Sequence, residues 1–232
     1  MKRRKQQNQL SSNLIRHQVS AGNGNVLVMK SGLICILMSY AILSFGYSDY
    51  VLAGCIDNCV TDFGVELGIT ASGVKAYSNC NNSCVALKAK NIETTFTGLK
   101  WQCVEFARRW LLLNHAYVFD SVDTAADMWE AIQFYISVED DTKLIVQSHE
   151  NGSEIMPARG DLFIYKSELF GTGHVAVVTA VDKNKQLIFL AEQNYKNEKW
   201  SGDAARTVRY INKENKIKVL DKHLIGWKRA VF

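Results

Sequence analysis

The stretch Gly173–Asn194 reads GHVAVVTAVDKNKQLIFLAEQN. Two apolar runs flank Asp182-Lys183-Asn184-Lys185, which has the composition of a hairpin turn. Strands are therefore predicted over Gly173–Asp182 and Gln186–Glu192, paired antiparallel. In the first, Val175, Val177 and Thr179 alternate with Ala176, Val178 and Ala180, so both faces should be partly buried. Further strands are predicted over Asp161–Lys166, Thr207–Ile211 and Gly226–Val231. Upstream, helices are predicted over Cys103–His115 and Thr124–Phe134, the second beside Asp123 as N-cap and with Asp127 in its first turn. Helices first and an antiparallel sheet later indicate the α+β class.

The polar residues at the ends of these elements suggest chemistry. His174 stands at the mouth of one strand, and Glu192-Gln193-Asn194 ends the next. Residues equally far from a hairpin turn face each other about 5 Å apart, which brings His174 and Glu192 within side-chain reach. Upstream lies Trp101-Gln102-Cys103-Val104-Glu105-Phe106-Ala107-Arg108-Arg109-Trp110, where a loop after Thr97-Gly98 gives way to the first helix. A thiol at that helix start meets unpaired N–H groups and the positive end of the dipole, both of which favour the thiolate. Nucleophile, base and orienter thus occur in the order that a cysteine hydrolase needs. Taken singly, each residue has an ordinary role: Cys103 in the core, His174 as a cap, Glu192 on the surface. Glu105, Arg108 and Arg109 read as the solvated face of the helix. His115 and His149 are rival bases, but neither has a strand-borne carboxylate nearby in sequence.

Composition narrows the partners. The 232 residues carry a formal charge of +4, yet residues 1–31 hold six of the 27 Lys/Arg and none of the 23 Asp/Glu. The remainder is therefore at −2, with no basic character to recruit nucleic acid. One proline, Pro157, and the lack of any repeat or linker indicate a single domain over 55–232 behind a leader, 1–54.

Within the leader, Gly32–Gly46 runs 15 residues without a charge. A membrane-spanning helix needs about 20 apolar residues, so a signal-peptide core is favoured over a signal anchor. Met29-Lys30 could supply a start and a short basic segment. Leu52-Ala53-Gly54-Cys55 resembles the bacterial lipobox, in which the cysteine is lipidated. Three outcomes stay open, a lipoprotein, a signal anchor or a soluble secreted protein, and all of them place the domain outside the cytosol, membrane-anchored or free in the periplasm or outside the cell. Cys55, Cys59, Cys80 and Cys84 form two C-x3-C pairs. A zinc-stabilised interaction protein is one reading, but such sites usually contain a C-x2-C knuckle, and disulfides suit an exported chain. Between the pairs, Phe63–Tyr77 with Ala71-Ser72-Gly73 reads as a hairpin. Its antiparallel arms would nest Cys59–Cys80 inside Cys55–Cys84; lipid on Cys55 would leave only one bridge.

Gln102-Cys103, Pro157-x-x-Gly160-Asp161-Leu162, Gly173-His174-Val175 and Glu192-x-Asn194 resemble the CHAP family, the cysteine- and histidine-dependent amidohydrolases and peptidases. Within it, the likeness is strongest to the glutathionylspermidine amidases. Lys100–Arg109, Thr172–Ala176, Ala191–Asn194 and Leu224–Trp227 carry that likeness, which extends from about Phe63 to Trp227. It implies a papain-like fold with N-terminal helices packed on an antiparallel sheet. It further implies Cys103 as nucleophile, His174 as base and acid, and Glu192 as orienter. Gln102 would help the Cys103 N–H hold the oxyanion, Asn194 would support them, and Arg108 would hold an anionic end of the substrate. No cofactor or metal is implied. The substrate would be an amide, either a glutathione–polyamine conjugate or, for an exported enzyme, peptidoglycan. The competing reading is a non-catalytic cell-envelope binding module that keeps the fold without turnover.

Overall fold

In the computed structural model, residues 55–230 are described; the leader 1–54, with its signal-peptide and signal-anchor readings, lies outside them. Among the described residues, thirteen strands and two helices follow in the order β1 (Glu66–Ile69), β2 (Lys75–Tyr77), β3 (Ala89–Ile92), β4 (Thr95–Leu99), α1 (Cys103–His115), β5 (Tyr117–Val118), α2 (Met128–Ala131), β6 (Phe134–Ser137), β7 (Lys143–Glu150), β8 (Leu162–Tyr165), β9 (His174–Asp182), β10 (Leu187–Ala191), β11 (Arg206–Lys213), β12 (Lys216–Val219) and β13 (Leu224–Ala230). Nine of the strands make one antiparallel sheet in the order β12-β11-β10-β9-β8-β13-β7-β6-β5, and β1-β2 and β3-β4 are separate hairpins.

The expectation of several helices packed on a sheet is corrected: sheet dominates, and one helix of 13 residues carries the helical layer. Of the predicted helix Thr124–Phe134, only Met128–Ala131 is helical, and Phe134 opens a strand. The reason is local. Thr124 and Asp127 bond each other, the hydroxyl donating to the carboxylate at 2.7 Å, and the Ala126 N–H is taken by the Thr172 carbonyl at 3.1 Å. Ile132 then turns extended (φ −88°, ψ 102°).

β8 and the first half of β9 are buried on both faces, as their apolar alternation requires. One face, with Leu162, Ile164, Val175 and Val177, packs against Phe106, Ala107, Trp110 and Leu111 of α1. Each large apolar side chain so buried contributes about 1.5–3 kcal/mol. The other face, with Phe163, Tyr165, Ala176 and Val178, shares a second core with Val208, Tyr210, Ile217, Val219 and Trp227. That core exists because the sheet curls. Its outer strand β12 reaches the segment after β7, where the Ile217 N–H donates to the Ser153 carbonyl at 2.8 Å. There the Asn151 side chain also holds the Val219 backbone, accepting from its N–H at 2.8 Å and donating to its carbonyl at 3.1 Å.

The cysteines pair as nested bridges, Cys55–Cys84 and Cys59–Cys80, closing the base of the β1-β2 hairpin. All four sulfurs are consumed, so the zinc reading fails among the described residues. The Cys55 sulfur in this bridge is likewise not available to a lipid.

Candidate active site

Cys103 is the first residue of α1, directly after Gln102, whose extended backbone (φ −76°, ψ 157°) offers no side-chain cap. The uncapped first turn leaves N–H groups and the positive dipole end beside the sulfur. Cys103 is the free cysteine of the described residues and is 7% exposed. Burial by itself pushes its pKa up. The charge and hydrogen bonding of His174, together with the N–H groups of Val175 and Val104, outweigh burial and hold the thiol below its ordinary range.

His174, fully buried, begins β9. Gly173 before it has φ +73°, and a Cβ there would lie 2.5 Å from the Tyr165 carbonyl oxygen, so only glycine lets the chain enter the strand at this angle. His174 Nε2 lies 2.9 Å from Glu192 Oε2. Its Nδ1 is buried without an oxygen or nitrogen partner and is the ring atom left for the thiol. Burial disfavours the imidazolium, but Cys103 and then Glu192 outweigh it and push the pKa up to about 9. Thiol and imidazole titrate as a coupled pair. Tyr165, Phe170 and Tyr195 surround the imidazole, with centroids at 5.7, 6.3 and 5.2 Å.

The strand register departs from the simple hairpin count. A bulge between Phe189 and Leu190 brings Ala191 opposite Val177. Continued one step, this register sets Glu192 opposite Ala176, which makes His174 its diagonal neighbour on the same face, still within reach.

Glu192 also meets Arg206, a residue that sequence reading missed: the Arg206 Nε donates to Glu192 Oε1 at 2.7 Å. Arg206 continues to Asp221 Oδ2 (2.7 Å) and the Tyr165 hydroxyl (2.9 Å), and that hydroxyl donates to Asp221 (2.9 Å). Burial raises the Glu192 pKa, but Arg206 first and His174 next pull it below the usual carboxylate range. Arg206 follows the irregular segment 192–205, which hides the register; the pairing of Leu190 with Arg206 is what sets it near Glu192.

Gln102 and Asn194 come together, the Asn194 amide donating to Gln102 Oε1 at 2.8 Å. Cys103, His174, Gln102, Asn194 and Arg108 all line a cleft of about 530 Å³, whose apolar wall includes Phe96, Leu99 and Val122. Glu192 lies behind His174 and is 3% exposed.

The solvated face expected on α1 is corrected. Glu105, Arg108 and Arg109 are 0%, 3% and 3% exposed. Burial is tolerated because the charges are partnered: the Arg109 Nε donates to Glu105 Oε1 at 2.7 Å, and Thr97 and Gln193 complete the carboxylate's shell at 3.0 Å each. Arg108 differs. Its Nη atoms donate to the carbonyls of Thr97 (3.2 Å) and Asp120 (2.9 Å), and its Nε has no partner. Burial lowers its pKa to about 10. His115 and His149 lie outside the cleft, His115 beside Trp110 and His149 beside Trp227.

Comparison with known families matches residues 94–194, the span holding Cys103, His174 and Glu192, to the CHAP domain. That span is similar to a CHAP domain. Among curated proteins, it is 38% identical over 141 residues to the bifunctional glutathionylspermidine synthetase/amidase of Escherichia coli (strain K12), covering 57% of this chain and 22% of that protein. It is 30% identical over 162 residues to the trypanothione synthetase of Crithidia fasciculata, covering 68% of this chain and 24% of the relative. The chain thus spans about a quarter of the length of these relatives. A CHAP domain implies a papain-like fold, with which the one long helix of the described residues, packed on an antiparallel sheet, agrees.

Proposed function

We propose that the CHAP-like domain of this chain is a thiol-dependent hydrolase of amide bonds, with Cys103 as nucleophile, His174 as general base and acid, and Glu192 as orienter. One observation carries the reading. Glu192 accepts from one ring nitrogen of a buried histidine at 2.9 Å, while the other nitrogen is left for a thiol at a helix start. The Cys103 thiolate attacks the amide carbonyl carbon, and the C=O electron pair moves onto oxygen. The Cys103 N–H and the Gln102 amide stabilise that oxyanion, a contribution of about 3–4 kcal/mol per donor. As the oxyanion collapses, the C–N bond breaks and the His174 imidazolium gives its proton to the departing amine, leaving a thioester. A water, deprotonated by His174, attacks the thioester; the acid departs and the thiolate is restored.

Arg108 supports an acyl group with an anionic end, since it is a buried cation at the cleft with an unmatched N–H. Two substrate classes fit that description, a glutathione–polyamine amide and a cell-wall peptide. The relatives' names favour the first. The two disulfides favour the second, because they suit an oxidising compartment outside the cytosol. In this reading, residues 55–232 are the exported domain and the N-terminal segment takes it to the membrane. Incubation of the purified protein with glutathionylspermidine and with peptidoglycan, with products identified by mass, tests the reading. New amine and acid termini from either substrate support it. Tight binding without cleavage of either would identify an envelope-binding module instead.

A further inference from the structure

Gln102 is held on both sides of its amide. Its Nε2 donates to the Cys84 carbonyl at 3.1 Å, and its Oε1 accepts from Asn194 at 2.8 Å. Both holders are tied to one fully buried residue, Asn79. The Asn79 side-chain nitrogen donates to the Cys84 carbonyl at 2.6 Å and to Asn194 Oδ1 at 3.1 Å, which closes a ring of four residues. Its Oδ1 accepts from the Trp101 N–H at 3.2 Å, just before Gln102 in the chain. An amide nitrogen has two hydrogens. With one committed to Cys84, Gln102 keeps the other for the cleft that it lines.

Cys84 is fixed in turn by its bridge to Cys55, and Cys80, next to Asn79, by its bridge to Cys59. Asn82, Ser83 and Val85 of the same segment form a wall of the cleft. We infer that the disulfide-held segment Asn79–Val85 sets the oxyanion side of the site, with Asn79 as a positioning residue acting through Gln102. The inference rests on the reading of the site as a hydrolase. It adds that full activity needs the bridges closed, because the Cys84 carbonyl that orients Gln102 is only as fixed as its sulfur. A displacement of about 1 Å in such a group suffices for a loss of order 100-fold.

Two reactions of Cys103 separate this role from general damage. Alkylation by iodoacetamide needs the thiolate but forms no oxyanion; acylation by p-nitrophenyl acetate passes through one. Both are followed on the Cys103 peptide by mass spectrometry in wild type, Asn79→Ala and the double variant Cys55→Ser/Cys84→Ser. In both variants, alkylation should stay within about twofold of wild type and acylation should fall roughly 10- to 100-fold. If Asn79→Ala does not fold, the double variant decides alone. Unchanged acylation, or an equal fall in both reactions, overturns the inference. A wild-type Cys103 that alkylates no faster than a free thiol overturns instead the hydrolase reading beneath it.

Discussion

At Cys103 and His174, two opposing shifts define a pH window. The thiol is held below its ordinary range and the imidazole is pushed up to about 9, so the ion pair fills the interval between. Hydrolysis should therefore fall on the acid side as the thiolate is protonated and on the basic side as His174 loses its proton near pH 9, a bell measured as kcat/KM against pH. Cys103→Ala should lower kcat by more than about 1,000-fold with circular dichroism unchanged, and His174→Ala nearly as much. Glu192→Gln should cost less and move the basic limb to lower pH, since it removes one cause of the raised imidazole pKa. Arg206→Ala acts with the opposite sign at the other limb. Without the guanidinium, Glu192 takes up its proton at higher pH, so the acid limb should move up and Arg206→Lys should restore part of the profile. An Arg206→Ala profile that overlays wild type would show that Glu192 needs no such support. Of these residues, the sequence exposes Cys103, His174 and Glu192 because each sits at the end of a strongly patterned element. Arg206 and Asn79 are hidden because their roles depend on long-range pairing across irregular segments.

Elements were legible in proportion to how much of them is buried. β8, β9 and β10 carry apolar runs that only a two-sided core explains, and the turn between β9 and β10 has the composition of one. β7 does not: five of its eight residues are exposed and its pattern gives little alternation, so it passes for loop. β3 has two of its four residues exposed and no apolar run; β4, TFTGL, is partly buried but short and interrupted by Gly98. The segment after Asp123 misleads in the other direction, because Asp127 spends its carboxylate on Thr124 rather than on a helix start. The entry to β9 is the element whose geometry the site needs most. Gly173→Ala should destabilise the fold by about 1–3 kcal/mol through the positive φ and the contact with the Tyr165 carbonyl, read as a lower urea midpoint. It should also lower kcat, since the strain falls on His174. A variant as stable and active as wild type would show that the loop relaxes freely.

For the whole molecule, the nested bridges make a statement about compartment. Replacing either pair by serine should cost about 2–5 kcal/mol, seen as a lowered Tm under oxidising conditions. In cells, added protease should reach the Cys103 domain without lysis of the inner membrane, and its peptides should contain Cys55 bridged to Cys84 rather than acylated. Recovery only in the cytosol, with every cysteine reduced, would refute export and favour the polyamine conjugate as substrate. The curl of the main sheet bears on how such a protein survives outside a chaperoned compartment. An open sheet has two rims, each a row of N–H and C=O groups that another chain can extend into a fibre. Here one rim is docked, because β12 spends groups on Ser153 and Asn151. The other rim is β5, two residues long. The main sheet therefore offers a neighbouring molecule almost no template, and crowding at a surface would not turn nine strands into a seed.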